Sequence, residues 1–218
     1  MTTDYERSRV GSPFAVINRR FQQLPGFQGL NNIGQTGDAE SARLEGNTTQ
    51  LERVCRDAEN IADDVIQFFI NPGKKPLNRH CKTMRRTVQE LSKRHDILFK
   101  TMINRLQVDD MNLFISFTYV TDEIFEDGQI NWGRVVAVYA FAARLALHFH
   151  DIQKPEKCNQ IALYTGRYVG KKLGKWIIES GGWDNFSDFF PEQVQEDRLW
   201  RGFVFAAFGL GALVIATQ

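Results

Sequence analysis

The sequence predicts an all-α fold, and three observations predict it. Apolar residues recur at spacings of three and four through most of the chain, as in helices that bury one face. The breaks between these stretches are short and rich in Pro, Gly and Asp, and no pair of segments reads convincingly as partnered strands. Residues 131–149 are apolar almost all round, which requires cover on every side and makes this helix the centre of a bundle.

Residues 1–48 hold many of the Gly, Asn, Gln, Ser and Thr residues and no sustained apolar period, so this region is expected to be largely disordered. Its charged start lacks the apolar run of a secretory signal. From Leu51 the row Val54, Ala58, Ile61, Val65 and Phe68 or Phe69 predicts an amphipathic helix, with Thr48 or Thr49 as its cap. The Pro and Gly of "NPGKKP" end it. Met84, Val88 and Leu91 mark the next helix, and Leu98, Met102 and Leu106 continue a four-residue stripe to a break at Val108-Asp109-Asp110.

"MNLFISFTYVTDEIF" suits a buried helix or an aromatic-rich strand, and helix is the reading adopted. "EDG" at 126–128 is a turn, and Asn131 is placed to cap the central helix. A further amphipathic helix runs through Ile161, Tyr164, Tyr168, Leu173 and Trp176 until "GGW" at 181–183, after which "DNFSDFF" and "PEQVQEDRLW" read as short helices. Residues 202–218 carry no charge; at about 1.5 Å per residue the run spans roughly 25 Å, the short end for a bilayer core. A C-terminal membrane anchor is expected there.

Composition excludes several functions. Lys plus Arg number 27 against 26 Asp plus Glu, so no basic field points to nucleic acid. Cys55, Cys81 and Cys158 are far apart and odd in number, which fits a reducing compartment better than a disulfide scaffold. The four histidines form no H-E-x-x-H, there is no phosphate-cradling loop or nucleophile elbow, and neither an enzyme, a metal nor a cofactor is implied. Gly166, Gly170 and Gly174 recur every four residues and are read as a close-packing face. Lys171, Lys172 and Lys175 are read as a solvated face, with anionic lipid as the alternative.

One arginine stands out. Arg134 lies in the first turn of the apolar helix, where burial without a partner costs several kcal/mol. It is therefore expected at a surface, at the edge of something apolar. There it could serve only to pair with Asp127 or another local carboxylate. Trp132 and Trp183 are expected to fill the core, Trp183 closing the bottom of the bundle, and Gly133 to let a neighbouring helix approach.

Asn131-Trp132-Gly133-Arg134 after Asp127-Gly128, and Gly182-Trp183-Asp184 some way on, resemble the first and second homology motifs of the B-cell lymphoma 2 family of apoptosis regulators. The resemblance runs from about Leu51 to the C-terminus. It implies a bundle of about eight helices around a hydrophobic central helical hairpin, with a C-terminal transmembrane tail. The implied organisation is a largely disordered 1–48, a helical-bundle domain at 49–200 and an anchor at 201–218. It also implies a groove that receives amphipathic helices, with Asn131, Gly133 and Arg134 at its edge, the arginine fork fitting an aspartate of the incoming helix in bidentate fashion, and Phe99, Met102, Leu106, Val120, Ile124, Val138 and Phe141 as its lining. Helix-in-groove capture is a general mode for which this family is a standard example. The implied partners are pro-apoptotic members and their Bcl homology 3 helices, from Bak-like, Bax-like and helix-only proteins, and the implied location is the cytosolic face of the mitochondrial outer membrane, with the cytosol and the endoplasmic reticulum membrane as further places.

The third homology motif departs from the family pattern. Met84-Arg85-Arg86-Thr87-Val88-Gln89 has Val88 where a small residue belongs and Gln89 where an aspartate belongs. Val would hold a groove wall off the helix, and a neutral Gln cannot form the charge-assisted pair with an arginine. An executioner of this family donates that helix to another copy, whereas a guardian only captures helices, so the departure favours an anti-apoptotic guardian. A Bak-type pore-forming executioner is the alternative. Met84, Thr87 and Leu91 can still wall the protein's own groove.

Overall fold

In a computed structural model, residues 38–191 are described, with side chains from Thr48 onward. Met1–Leu44 and Glu45–Gln218 separate as two units. The described residues are helical, with no strand among them. The helices are α1 (Asp38–Ile70), α2 (Arg79–Arg94), α3 (Asp96–Leu106), α4 (Leu113–Ile124), α5 (Trp132–Asp151), α6 (Glu156–Tyr168), α7 (Gly174–Glu179) and α8 (Gly182–Phe189). A π-helical turn, Val169–Leu173, joins α6 to α7.

Helix α1 starts at Asp38, so Thr48 and Thr49 lie inside it and do not cap it. Part of the region expected to be disordered is thus helical. The sequence there is rich in Ala, Glu, Arg and Leu, which favour helix by intrinsic propensity without an apolar row to announce it. The stripe expected to run from Met84 to Leu106 is broken at His95, whose backbone (φ −119°, ψ 30°) leaves the helical region between α2 and α3. Where the sequence left helix and strand open, α4 is a helix.

Polar side chains set the starts of the elements. Asn78 Oδ1 accepts from the Cys81 amide at 2.9 Å and starts α2. Asp109 Oδ1 accepts from the amides of Met111 and Asn112 at 2.8 and 2.9 Å, turning the chain into α4. Gly181 and Gly182 take φ of 87° and 73°, a conformation that favours glycine, and allow the tight corner before α8.

Helix α5 is the centre. Every residue from Trp132 to Ala143 is buried, and α2, α3, α4 and α6 pack against it. Tyr139 reaches from α5 to donate to the Ala58 carbonyl of α1 at 3.1 Å, which supplies a buried hydroxyl with a partner. Trp132 packs edge-on to Trp176 at 4.8 Å between centroids, and Trp183 lies against both Trp132 and Tyr139. Trp183 Nε1 donates to the Val54 carbonyl at 3.3 Å. Both tryptophans are core residues, as expected from the sequence.

Two ties between helices, one of them buried, went unread in the sequence. Arg85 of α2 forms a bidentate pair with Asp64 of α1, Nε to Oδ2 at 2.6 Å and Nη2 to Oδ1 at 2.7 Å, and its Nη1 donates to the Lys74 carbonyl at 2.6 Å. Asp64 also accepts from the Leu77 amide at 3.1 Å, so one carboxylate holds both α2 and the connection that leads into it. Arg144, the other arginine on α5, donates to Asp96 at the start of α3. None of the described helices is long and apolar enough to cross a membrane, and the expected anchor at 201–218 and most of "PEQVQEDRLW" lie outside the described residues.

Candidate functional site

The site is built on the chain reversal between α4 and α5. Gly128 turns the backbone at φ 73°, and Asp127 Oδ1 accepts from the Gln129 amide at 2.9 Å, closing the turn on a side chain. Asn131 is extended (φ −152°, ψ 164°), and its Oδ1 accepts from the Arg134 amide at 2.9 Å. The asparagine is thereby the N-cap of α5 and fixes where the helix begins.

That geometry sends Arg134 back over the turn. Its Nη1 donates to Asp127 Oδ1, its Nη2 to Asp127 Oδ2 at 2.6 Å, and its Nη1 also to the Gln129 carbonyl at 2.8 Å. The expectation that Arg134 lies at a surface is corrected: its side chain is only 4% accessible, while that of Asp127 is 47% accessible. Of the two pairings the sequence left open, the one with Asp127 is formed in the free protein. The arginine is the buried member of the pair, and the carboxylate is the half-exposed one. The Arg134 hydrogen bonds, followed by the Gln129 amide, hold the Asp127 carboxyl down to about 2.

Beside this pair, burial raises the Glu123 carboxyl above its ordinary range, with Glu126 adding like charge. Asp122 takes Lys172 and the Tyr168 hydroxyl, the latter at 3.1 Å. The end of α4 and the turn after it are thus acidic, and two of their carboxylates, Asp122 and Asp127, are engaged by cations.

The seven residues expected to line a groove divide into two groups. Phe99, Val120, Ile124, Val138 and Phe141 are buried in the core, with Phe141 stacked on Phe117 at 6.1 Å between centroids. Met102 and Leu106 are half-buried and pack against that core from α3. Gly133 is buried in the first turn of α5 beside Arg134. The turn brings Asn131, Gly133 and Arg134 together, and Val138 and Phe141 follow on the same helix. Met84, Thr87 and Leu91 of α2 are buried as well. Sequence reasoning missed Gln129, whose carbonyl completes the arginine's coordination; a backbone acceptor leaves no signal in residue identity.

Residues 84–183 match apoptosis regulator proteins of the Bcl-2 family. The chain is 31% identical over 109 residues to Bcl-2-like protein 1 of Rattus norvegicus, covering 50% of this chain and 46% of that protein. It thus spans about half the length of the Bcl-2-like relatives it matches. It is 24% identical over 160 residues to the anti-apoptotic protein NR13 of Coturnix japonica, covering 72% of this chain and 90% of that one. Among solved structures, the zebrafish pro-survival protein NRZ without ligand is similar at a TM-score of 0.61 and 25% identity, over 65% of this chain and 95% of that one. The trBcl-2L2 protein of Trichoplax adhaerens, crystallised with the trBak BH3, is similar at a TM-score of 0.56 and 29% identity, over 63% and 99%.

Proposed function

We propose that the chain, whose residues 84–183 match the Bcl-2 family, is an anti-apoptotic regulator which captures amphipathic Bcl homology 3 helices. By sequestering them it blocks permeabilisation of the mitochondrial outer membrane. The observation that carries the reading is likeness over nearly the whole of two survival-promoting proteins, 90% of NR13 and 95% of NRZ. Arg134 supplies the chemistry: a fork held at the start of α5 by Asn131, already arranged for two-point contact with a carboxylate. Within the family, "FEDGQINWGRVV" and "GGWDNFSDFF" resemble the myeloid cell leukaemia 1 member, and that branch is part of the proposal.

Calorimetry of residues 1–201 against BH3 peptides of Bad, which was crystallised with NRZ, and of Bak tests the reading. Dissociation constants from nanomolar to low micromolar are expected, roughly −8 to −12 kcal/mol. Arg134→Ala should weaken binding by about 2 to 4 kcal/mol, because the partner's carboxylate is then desolvated without its fork. Absence of binding by every peptide would sink the proposal.

Residues 202–218, uncharged throughout, are proposed to anchor the chain in the mitochondrial outer membrane. A fluorescent fusion of the full chain should mark mitochondria and become diffuse when truncated after Arg201. Retention of the truncated protein on mitochondria counts against this anchor.

A further inference from the structure

Taking the helix-capture reading as given, we infer that Asp127 is a built-in competitor for Arg134, and that a partner helix binds by exchanging its own aspartate for the Asp127 carboxylate. Three features of the site carry this. The Arg134 side chain is 4% accessible, so a second carboxylate does not approach it from solvent while the pair is intact. Its half-exposed partner Asp127 is a carboxylate, paired in the same two-point geometry a helix aspartate would use. That carboxylate is itself 47% accessible, so it can swing into water and be hydrated at little cost, whereas the arginine cannot.

The turn is suited to the exchange. Asp127 precedes Gly128 at φ 73°, where the backbone is least restricted, and its other protein partner is the exposed amide of Gln129. The Gln129 carbonyl remains on Nη1 when Asp127 leaves, so the fork keeps its direction while its carboxylate is replaced. Lys172 is held by Asp122 and so does not draw Asp127 away. Asp127 therefore sets how much of the arginine's attraction a partner receives. A helix with aspartate at the facing position can replace it, and a helix with a neutral residue there cannot.

The test uses the wild-type domain, an Asp127→Asn variant, and two Bad BH3 peptides that differ at one position, the aspartate among their apolar residues kept in one and replaced by asparagine in the other. Removing the competing charge should tighten binding of the aspartate peptide by on the order of tenfold and leave the asparagine peptide nearly unchanged. An equal shift for both peptides, no shift, or weaker binding of the aspartate peptide would overturn the inference. A second measurement needs no variant. In the free wild-type protein the Asp127 carboxyl carbon, followed by nuclear magnetic resonance, should stay in its ionised form down to about pH 2. In the complex with the aspartate peptide it should titrate near pH ~4, the ordinary range for a released aspartate. Persistence of the low titration in that complex means that Asp127 stays on Arg134, and overturns the exchange even if the variant fails to fold. If the wild type binds neither peptide, the helix-capture reading itself is what fails.

Discussion

At the scale of single residues, acid acts on this site through the pair at the mouth of α5. The folded Asp127 carboxyl is held down to about 2 by Arg134 and by the Gln129 amide, against about 3.9 for a free aspartate. A carboxyl depressed on folding stabilises the fold above its unfolded value and loses that contribution as pH falls through the folded one. Between about pH 4 and 2 the wild type should therefore lose thermal stability faster than Asp127→Asn, and above pH 5 the two melting curves should keep a constant separation. Parallel curves through the acid range would mean that the pair adds nothing to the fold. The sequence made Asp127 a candidate partner because it lies seven residues before Arg134 on a turn. It could not choose between that carboxylate and an incoming one, since the choice depends on Gly128 and the Gln129 carbonyl, both matters of backbone geometry. Arg85 and Arg86 show the same limit: adjacent in sequence, one is buried on Asp64 and the other is not, and nothing local marks a partner 21 residues away.

At the scale of elements, the glycines every four residues in α6, the π turn and α7 were read from the sequence as a close-packing face, and α1 is what they meet. A Cβ on Gly166 would lie 2.5 Å from the Glu59 Cα, one on Gly170 would lie 2.9 Å from the Cys55 Cα, and one on Gly174 would lie 2.8 Å from Leu51 Cδ1. In a regular α-helix, positions four apart drift about 40° per step around the cylinder. The wider π turn at Val169–Leu173 rotates less per residue and offsets that drift, so all three glycines face Leu51, Cys55 and Glu59. The spacing was legible from residue types alone; the π turn was not, because its register is set by packing against α1. The three sites differ in what an added methyl group meets. At Gly166 it meets backbone, which can yield only by moving a helix, so Gly166→Ala should destabilise by about 1 to 3 kcal/mol. At Gly174 it meets the far end of a flexible, partly exposed leucine, and alanine's helix propensity, up to about 1 kcal/mol better, offsets the crowding. Gly174→Ala should be neutral or slightly stabilising. Urea denaturation of the two variants checks the order, and equal losses would show that helix approach at the stripe is not the constraint.

At the scale of the whole molecule, the distinction between guardian and executioner rests on whether α2 can leave the bundle. An executioner must expose this helix, and here Met84, Val88 and Leu91 are all buried against the core. Polar ties reinforce the apolar ones: Arg85 to Asp64 of α1, Arg79 to Asp188 of α8, and His80 Nδ1 to Ser187 Oγ at 3.0 Å. Exposing three such side chains costs roughly 1.5 to 3 kcal/mol each, and breaking a buried ion pair by removing one partner costs about 3 to 5 kcal/mol. The total is on the order of 10 kcal/mol, comparable with the stability of an entire domain. Val88 and Gln89 then leave the released helix a poor ligand, so the cost would not be recovered by insertion into another copy. The full chain, added to liposomes of mitochondrial lipid composition, should therefore release no entrapped dye, with or without an activating helix peptide, and should suppress release by a Bak-type executioner added with it. Release by the wild-type chain alone or on activation would reverse the assignment, because it would require α2 to have left its place against α1, α5 and α8.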